Sequence, residues 1–325
     1  MTEFFPIFQK IKDEIDKANK VIVITHQNPD GDALGSLLGM HHYLRLVKTD
    51  HTLFCLTETP DYLKFLPDTE HISNDENHLM KNEHDLIIIL DSGDLQYAGV
   101  DKHFRKIKGL PVVINIDHHP TNQYYGHINL VHPQASSTSE IIFHFLDYFR
   151  LPITKEVATS LLTGILTDTG SFSNLATTPS SMEVSSKLLT SGARVREIIT
   201  NTFRNKSLSQ LQLWGRALSR LKHNKKTGIV TTVLTQQDFD ELGIDDESGE
   251  GIANFLNNVE QARAIIVLRE KLDGTIKGSL RTTQPDVDVS KIAEFFGGGG
   301  HKKAAGFTIK GQLKETPQGW QVVKK

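Results

Sequence analysis

Short apolar runs that alternate with helical segments constrain the fold of this chain more than any other feature. The first run is Val21–Thr25, which consists mostly of β-branched residues. A helical pattern of leucines follows it, at Leu34, Leu37, Leu38 and Leu44. Three further apolar runs follow at the spacing of βαβ units: Thr52–Leu56, Leu86–Leu90 and Val112–Ile116. This alternation predicts an α/β fold with a mostly parallel sheet flanked by helices.

The length and charge of the chain limit its domain count and its partners. With 325 residues, the chain is long enough for two domains. The formal net charge of −3 argues against a protein that follows duplex DNA by phosphate contacts, because such proteins carry a strong basic excess. Any nucleic-acid site is therefore expected to be a local pocket.

The cysteine content and the apolar runs predict a cytoplasmic location. Cys55 is the single cysteine, so a disulfide within the chain is excluded, and its apolar surroundings predict a core thiol. The N-terminal segment has an amphipathic helical pattern without the uninterrupted apolar stretch of a signal peptide. The apolar runs are also far too short for a membrane span, so no membrane partner is expected.

Acidic and histidine residues follow three of the four predicted strands. They are His26, Asp30 and Asp32 after the first strand, Asp91 after the third, and Asp117, His118 and His119 after the fourth. Open α/β sheets bind ligands at the carboxyl ends of their strands, and carboxylates with imidazoles suit a divalent ion of the Mn, Mg or Zn group. Structural alternatives remain: a turn of solvated acids after the first strand, a cap for Asp91, and a supporting role for one histidine of the pair. Asp117 is suited to orient a histidine ring.

Two later segments add further polar candidates. Ser137-x-x-Glu140 has the capping-box pattern, which predicts a helix start rather than a catalytic serine. The free N–H groups of such a helix end can also face an anion. Asp168 lies among small residues in GILTDTGSF, and a buried carboxylate there requires a cationic partner or a metal.

The C-terminal part has a different pattern, which predicts a second and smaller α/β domain. Residues 194–226 are expected to be a helical linker between a domain at 1–193 and a domain at 227–325. The predicted strands of the second domain are Gly228–Leu234, Ala262–Glu270 and Thr275–Thr282, and its helices are Gly249–Asn258 and Val289–Phe296. The acidic segment Asp238–Glu250 is expected to be a solvated connection. An apolar stripe in the linker is expected to pack in a core or between domains: Leu208, Leu211, Trp214, Leu218 and Leu221.

The segment Gly297–Gly306, GGGGHKKAAG, is the most unusual part of the second domain. Glycines allow backbone N–H groups to approach a phosphate, and His301 or Lys302 would add charge. Arg281 ends a predicted strand just upstream and is able to bind a phosphate through two N–H groups. A flexible tether is the alternative interpretation of the four glycines.

Five motifs together resemble one known superfamily. HQNPDGD, LDSGD, DHH, TGILTDTGSF and GGGGHKKAAG occur in the order and rough spacing of the DHH phosphoesterases that carry a DHHA1 domain. The resemblance covers nearly the whole chain. Within the superfamily the chain is similar to the stand-alone bifunctional oligoribonucleases (nano-RNases) and pAp phosphatases, which are related to RecJ exonuclease and to phosphodiesterases of the cyclic-di-AMP pathway. Asn28 stands where many members have Asp, at a position that is not a ligand in the usual assignment.

The resemblance implies a DHH catalytic domain with two Mn²⁺ ions and a DHHA1 domain that holds one end of a short substrate. One ion would be held by His26, Asp30 and Asp91. The second would be held by Asp32, Asp91, His118 and Asp168, so that Asp91 is shared. His119 would contact the scissile phosphate, with Asp117 as its support. The terminal nucleotide and its phosphate would be held by Arg281, His301, Asn254, Gly298, Gly299 and Gly300.

The implied function is hydrolysis of short RNA oligonucleotides to mononucleotides, together with removal of the 3′-phosphate from pAp to give AMP. One pair of divalent ions suits both reactions, because both need an acidified water and a stabilised leaving oxygen. The alternatives are a phosphodiesterase that acts on pApA or cyclic-di-AMP, and a non-catalytic nucleotide-binding regulator. An inorganic pyrophosphatase of the same superfamily would not need the glycine motif. The sequence leaves the oligomeric state open, a homodimer included.

Overall fold

The structure is a computed structural model that describes residues 2–80, 84–105, 111–204, 206–249, 251–257, 259–260, 262–317 and 319–323. A few side chains within these ranges lie outside the described part, namely those of Thr2, Met80, Asp246, Glu247 and His301. The backbone divides into two units, residues 1–205 and residues 206–325.

The first unit contains a six-stranded sheet in which every neighbouring pair of strands is parallel. Its strands are β1 (Lys20–Thr25), β2 (Asp50–Phe54), β3 (Ile72–Ser73), β4 (Leu86–Leu90), β5 (Val112–Asp117) and β6 (Ile128–Val131). Their spatial order is β3-β2-β1-β4-β5-β6, so the order reverses between β1 and β4. Doubly wound sheets bind ligands at this switch point, outside the carboxyl ends of the strands. The predicted α/β fold with a mostly parallel sheet is confirmed.

Helices cover both faces of this sheet. The described helices of the first unit are α1 (Phe5–Lys17), α2 (Gly31–Val47), α3 (Asn77–Met80), α4 (Asp101–Phe104), α5 (Thr138–Tyr148), α6 (Lys155–Asp168), α7 (Pro179–Thr190) and α8 (Val195–Thr202). The side chains of β1 alternate between two cores, with Val21 and Val23 in one and Ile22 and Ile24 in the other. All five residues of β4 are buried, as expected for a central parallel strand that is covered on both faces.

The start of α5 follows the predicted capping box with one difference. Ser137 caps α5 by accepting a hydrogen bond from the backbone N–H of Glu140, at 3.1 Å. The Glu140 carboxylate does not return the bond to Ser137; it accepts from the N–H and the hydroxyl of Ser136 instead. The predicted capping box is therefore only half formed, because Ser136 offers this carboxylate two donors.

The second unit contains a mixed six-stranded sheet and a separate two-stranded one. The described helices are α9 (Leu208–Ser219), α10 (Gln236–Leu242), α11 (Ile252–Leu256) and α12 (Ser290–Phe295). The strands are β7 (Lys222–Asn224), β8 (Ile229–Leu234), β9 (Ala264–Glu270), β10 (Thr275–Arg281), β11 (Gly299–His301), β12 (Ala304–Lys310), β13 (Gln312–Thr316) and β14 (Gly319–Val323). The larger sheet has the order β11-β12-β10-β9-β8-β7, with β8 and β9 parallel and the other pairs antiparallel.

Residues 194–226, expected to be a linker, contain two helices, and each helix packs in a different unit. On α8, Ile198 is part of the core of the first unit, whereas Leu213 and Ala217 of α9 are part of the core of the second. The apolar stripe predicted on α9 is only partly internal, since Leu208 is 74% exposed. Helix α9 instead buries the face that carries Leu213 and Ala217. The functional division into a catalytic domain, a linker and a substrate domain stays a proposal.

One other prediction for the second unit was wrong. Asp238 is not in a solvated loop: it is buried in the first turn of α10, where Arg220 Nη2 donates to its Oδ1 at 2.8 Å. Burial opposes the charge of Asp238, but Arg220 outweighs it and lowers the pKa of this carboxyl to about 2. The alternative interpretation of the glycine segment as a flexible tether does not hold, because Gly299–His301 forms strand β11, which pairs with the start of β12. The phosphate-binding interpretation stays a proposal.

Candidate active site

His26 follows β1 directly and presents one ring nitrogen to two carboxylates. The ring is buried, and its Nδ1 donates a hydrogen bond to the carbonyl oxygen of Gln27 at 2.9 Å. A neutral ring then carries its lone pair on Nε2. This Nε2 lies 3.9 Å from Oδ1 of Asp30 and 3.6 Å from Oδ2 of Asp91. The turn therefore directs this ring nitrogen toward two acids, of which Asp91 is buried and Asp30 is half exposed.

Asp32 lies in the first turn of α2 and is fully buried. Its Oδ2 accepts a hydrogen bond from the N–H of Thr138 at 2.6 Å, and its Oδ1 accepts from the N–H of Ser139 at 2.8 Å. These two N–H groups belong to the first turn of α5, where the helix dipole favours negative charge. The anion at this helix end is thus the protein's own carboxylate, which is thereby held at the sheet edge.

Close packing of α2 against α6 requires a glycine beside Asp32. A Cβ atom at Gly164 would lie 2.6 Å from Oδ1 of Asp32 and would overlap the hydroxyl of Ser139. Gly164 is part of the TGILTDTGSF motif, which continues to Asp168 at the end of α6. The glycine therefore allows α6 to bring Asp168 to the same edge as Asp32.

Asp91 directs its two carboxylate oxygens to different histidines. It follows β4 in a left-handed backbone conformation (φ 56°), which is uncommon for residues other than glycine and typical of functional sites. Its Oδ2 faces His26 at 3.6 Å, and its Oδ1 lies 3.7 Å from Nε2 of His118. The hydroxyl of Thr138 also donates to Oδ1, at 2.9 Å. Asp91 thus lies between His26 on one side and His118 with Thr138 on the other.

His118 connects Asp91 to the later acid of the chain. Its Nδ1 donates to the carbonyl oxygen of Ala135 at 3.4 Å, which leaves Nε2 directed at the acids. This Nε2 lies 3.2 Å from Oδ2 of Asp168 and 4.0 Å from Oδ2 of Asp32. Histidines that bind a metal through one ring nitrogen typically donate a hydrogen bond from the other, as Nδ1 of His118 does here.

Asp117 holds the neighbouring histidine and is itself held by an amide. Its Oδ1 accepts from Nδ1 of His119 at 2.7 Å and from the N–H of His118 at 2.9 Å. Its Oδ2 accepts from the side-chain amide of Asn122 at 2.6 Å. The same amide also donates to Asn115, whose own amide donates to the hydroxyl of Tyr125. Asp117 is therefore occupied as an acceptor on both oxygens and orients the His119 ring.

The pKa values of the acids and imidazoles in the site are shifted by burial and by one another's charges. Burial opposes a charge on His26, but Asp91 outweighs it and raises the pKa of this ring to about 9. Burial also opposes ionisation of Asp91, yet the three histidines around it lower the pKa of its carboxyl. Burial, with the charges of Asp91 and Asp168, raises the pKa of Asp32, and burial raises the pKa of Asp168 to about 6. Such opposed shifts within one cluster are typical of functional sites.

The donor set fits divalent ions. Three overlapping groups have ligand atoms within 4.8 Å of one another: His26, Asp30 and Asp91; Asp32, His118 and Asp168; and Asp91, His118 and His119. Buried carboxylates at this density are costly unless cations neutralise them, and the raised pKa of Asp32 is the sign of that cost. The structure thus brings together all six residues that were expected to bind metal.

Sequence reasoning missed the residues that support these ligands. Thr138 and Ser139 hold Asp32 and Asp91, and the Ser/Thr run before α5 was the available signal. Tyr97 stacks on the His26 ring with centroids 4.7 Å apart, and no local pattern indicated this contact. Asn122 donates a hydrogen bond to Asp117, and no sequence pattern indicated this contact either.

The second unit brings together part of the expected nucleotide-binding residues. Arg281, at the end of β10, donates from Nε to Oδ1 of Asn254 at 2.6 Å and from Nη1 to the carbonyl oxygen of Leu280 at 2.9 Å. The backbone of His301 pairs with Ala304, which also pairs with Arg281 on the other side of β12. The His301 side chain lies outside the described part of the chain. Arg281, Asn254 and this backbone row are therefore neighbours within one unit.

The glycines of this motif have a packing reason as well. A Cβ atom at Gly298 would lie 2.6 Å from the Cα atom of Phe307, so no larger residue fits without movement. Gly299 and Gly300 form the edge strand β11, which has a strand partner on one side only among the described residues.

Family comparisons agree with both units. The model of the DHH family, N-terminal domain, matches residues 20–165, and the model of the DHHA1 domain matches residues 217–318. The chain belongs to the DHH family of phosphoesterases and carries a DHHA1 domain. It is therefore an enzyme of a metal-dependent family.

Individual relatives carry several names. The chain is 33% identical over 294 residues to the bifunctional oligoribonuclease and PAP phosphatase NrnA of Thermus thermophilus, covering 90% of this chain and 84% of that protein. It is 27% identical to the cyclic-di-AMP phosphodiesterase PdeA of Listeria monocytogenes, over 94% of this chain but 47% of that protein. The crystal structure of an exopolyphosphatase-related protein from Bacteroides fragilis superposes with a TM-score of 0.87 at 28% identity, over 94% of this chain and 92% of that one. None of the helices in the described ranges has the length and apolar character needed to cross a membrane.

Proposed function

We propose that this enzyme hydrolyses short RNA oligonucleotides to mononucleotides and removes the 3′-phosphate from pAp, with two Mn²⁺ ions as cofactors. The observation that carries the proposal is the position of Asp91, whose two oxygens face His26 and His118 separately. A carboxylate in this position is suited to be shared by two cations. Similarity to the Thermus thermophilus protein, over most of both chains, supports the choice of substrates.

The residues divide into two ligand sets around Asp91. His26 and Asp30 would complete the first set, and Asp32, His118 and Asp168 would complete the second. When bound, the two ions would supply positive charge that acidifies water and neutralises the phosphate. The hydrogen bonds of Asp32 to α5 and of the two histidines to backbone carbonyls fix the ligands before any ion arrives.

His119 is proposed to contact the scissile phosphate. Burial opposes its charge, but the hydrogen bond to Asp117 together with the charges of Asp91 and Asp117 outweighs burial and raises the pKa of this imidazole. A protonated ring in this position stabilises negative charge that develops on phosphate oxygens. Asp117 is the positioning residue, because its Oδ1 accepts the hydrogen bond from Nδ1–H of His119 and thereby fixes the orientation of the ring.

The second unit is proposed to bind the terminal nucleotide. Arg281 is held by Asn254 and by a backbone carbonyl, so its guanidinium is ordered before a phosphate binds. The glycines of the β11 edge allow a phosphate to approach backbone N–H groups, and Gly298, Gly299, Gly300 and His301 are proposed to take part. A site of this kind favours short substrates with a terminal phosphate over long duplexes, in line with the net charge of −3. We also propose a cytoplasmic location.

A second candidate function is hydrolysis of pApA or cyclic-di-AMP. It is favoured by the similarity to the Listeria monocytogenes phosphodiesterase, which extends over nearly all of this chain. The same ligand sets serve either reaction, so the choice depends on the substrate-binding unit. A regulator without catalysis would have no need for the complete set of predicted ligands.

The deciding experiment compares four substrates under Mn²⁺: a five-nucleotide RNA, pAp, pApA and cyclic-di-AMP. We expect the RNA and pAp to be turned over efficiently and cyclic-di-AMP to be the poorest substrate. A strong preference for the cyclic compound would support the second candidate, and no turnover of any substrate would support the regulator. Asp91→Ala serves as the inactive control, and Asp147→Ala, which changes an acid on α5 that pairs with Lys187 at 3.5 Å, should stay active.

The metal is tested separately. EDTA should stop both activities, and Mn²⁺ should restore them better than Mg²⁺, because imidazole ligands are softer than the all-oxygen sites that Mg²⁺ prefers. Equal rescue by the two ions would contradict the assignment of Mn²⁺ without affecting the substrate assignment.

A further inference from the structure

One tyrosine that has no part in the proposed function lies beside the candidate metal centre. Tyr97 follows β4, and its ring stacks on the ring of His26 with centroids 4.7 Å apart and an angle of 29° between the planes. The same ring meets His119 edge to face, with centroids 6.4 Å apart. Oxygens of Asp91 lie 3.6 Å from the first of these histidines and 3.7 Å from the second. Tyr97 therefore lies next to two rings that flank Asp91.

The backbone holds Tyr97 in this position. Its carbonyl oxygen accepts a hydrogen bond from the N–H of Gln27 at 3.3 Å, which ties it to the residue after His26. Its own N–H donates to Oδ1 of Asp94 at 2.7 Å. Two residues later the segment is closely packed, since a Cβ atom at Gly99 would lie 2.6 Å from the side chain of Leu56. The fold thus fixes the place of the ring before any substrate binds.

The polar end of the Tyr97 side chain is open, in contrast to its ring. The residue is 46% exposed although it stacks on a buried histidine, and within the described ranges its hydroxyl makes no hydrogen bond. Tyr125, the other tyrosine of this region, differs in this respect, because its hydroxyl donates to the carbonyl oxygen of Ser92 at 2.9 Å. Tyr97 therefore offers a fixed donor that no described residue uses.

The acids of the candidate centre act on this hydroxyl. Burial, followed by the charges of Asp30, Asp91 and Asp168, raises the pKa of Tyr97 to about 12. The phenol would be protonated without this shift as well, because the ordinary pKa of tyrosine is about 10. The hydroxyl is thus a donor close to residues of both proposed ligand sets. Hydrogen bonds to an ionised acceptor are stronger than those between neutral groups, so a bound anion is the partner that suits it.

We propose that the hydroxyl of Tyr97 donates a hydrogen bond to a non-bridging oxygen of the phosphate that binds at the candidate metal centre. His119 is proposed to contact the same phosphate, and the two rings are neighbours, so two fixed donors would act on one group. Such donors stabilise negative charge that develops on phosphate oxygens. The inference rests on the part of the proposed function that places a phosphate at the metal centre, and it applies to each of the candidate substrates.

Binding of inorganic phosphate to the full chain loaded with Mn²⁺ tests the contact without reference to a substrate. Tyr97→Phe removes the hydroxyl and keeps the ring that stacks on His26. Titration calorimetry should show phosphate binding weakened by about tenfold or more, because the lost hydrogen bond has a charged acceptor. Manganese stoichiometry should stay at the wild-type value. The matched control is Tyr148→Phe, a tyrosine that is 36% exposed and stacks on Phe5 at 4.4 Å, and it should bind phosphate as the wild type does.

Equal phosphate affinity in the wild type and Tyr97→Phe would overturn the proposal, and so would the absence of phosphate binding in both. A loss of bound Mn²⁺ in Tyr97→Phe would also overturn it, since the residue would then act on the metal through His26. An equal weakening in Tyr148→Phe would show that the effect is not specific to the contact.

Turnover separates this inference from the proposed function. For any of the four substrates that the wild type hydrolyses, kcat/KM should fall in Tyr97→Phe by a factor similar to the loss in phosphate affinity. If RNA and pAp are not hydrolysed but Tyr97→Phe still binds phosphate more weakly, the substrate assignment is wrong and the contact stands. If RNA and pAp are hydrolysed and phosphate affinity is unchanged in Tyr97→Phe, only the contact is wrong.

Discussion

Thr138 donates its backbone N–H to the carboxylate of Asp32 over 2.6 Å, which joins the first polar motif to a helix that begins 106 residues later. The hydroxyl of Thr138 donates at the same time to Asp91. One residue at a helix start therefore holds Asp32 of the second proposed ligand set and Asp91, which both sets share. The geometry of the candidate metal centre depends on α5 although α5 supplies no ligand.

Removal of Asp32 should expose the start of α5. In Asp32→Ala the N–H groups of Thr138 and Ser139 lose their acceptor, so their hydrogen exchange should be at least about tenfold faster, which corresponds to the loss of roughly 1.4 kcal/mol. Amide exchange in EDTA measures this directly. Asp168→Ala removes another proposed ligand but no acceptor of these groups, and it should leave both rates near those of the wild type. Equal rates in Asp32→Ala and the wild type would show that the helix start does not depend on Asp32.

A methyl group at position 164 should damage the centre. In Gly164→Ala the new Cβ meets Asp32 and Ser139, so we expect the free energy of unfolding to fall by about 1–3 kcal/mol and Mn²⁺ to bind more weakly. Urea unfolding and metal titration measure the two effects. The matched control is Gly215→Ala on α9, where a Cβ has no neighbour within 4 Å, and there stability should rise by about 0.5–1 kcal/mol. Unchanged metal affinity in Gly164→Ala would contradict the close packing at this point.

A substitution at Arg281 of the second unit should weaken substrate binding without affecting metal binding. Arg281→Ala should raise KM for an oligonucleotide by about tenfold or more, because a charged hydrogen bond to phosphate is worth about 1.5–3 kcal/mol. Manganese stoichiometry should stay at the wild-type value. Steady-state kinetics with a metal assay measures both, and Asn254→Ala should have a smaller effect of the same sign, since Asn254 orients Arg281. An unchanged KM in Arg281→Ala would remove this residue from the substrate site.

Metal affinity should increase with pH. The pKa of His26 is raised to about 9 in the metal-free protein, so below that pH the ring carries a proton that an incoming ion must displace. Each displaced proton weakens apparent binding by about tenfold for every unit by which the pH is lowered. Below pH 6 the dependence should become steeper, because the pKa of Asp168 lies at about 6. Manganese titrations at several pH values test this. An affinity independent of pH below 8 would show that His26 carries no proton that the metal must displace.

The strands and their polar ends could be predicted because both depend on local sequence. LIIIL before Asp91 is apolar on both faces, which only a covered central strand permits, and a polar residue directly after such a strand lies at the sheet edge. Strands β3 and β6 were not predicted, since two and four residues are too few for a clear pattern. The prediction of where the ligands lie thus follows from the parallel order of the strands.

The contacts that hold the ligands could not be predicted in the same way. The bond between Asp32 and Thr138 depends on the packing of α2 against α5, and no local pattern encodes a partner so distant in sequence. Asp238 was wrongly expected to be solvated, because its partner Arg220 lies on a different helix end and only the fold brings them together. The apolar stripe on α9 shows the same limit. Its periodicity correctly indicated a helix with an apolar face, but the face that is buried carries Leu213 and Ala217, whereas Leu208 is exposed.

The central claim is that Asp91 is shared by two cations. A crystal soaked in Mn²⁺ and measured by anomalous scattering tests it directly. We predict two manganese peaks in the first unit, one beside His26 and Asp30 and the other beside Asp32, His118 and Asp168, with one oxygen of Asp91 next to each. A single peak, or two peaks of which only one contacts Asp91, would contradict the account.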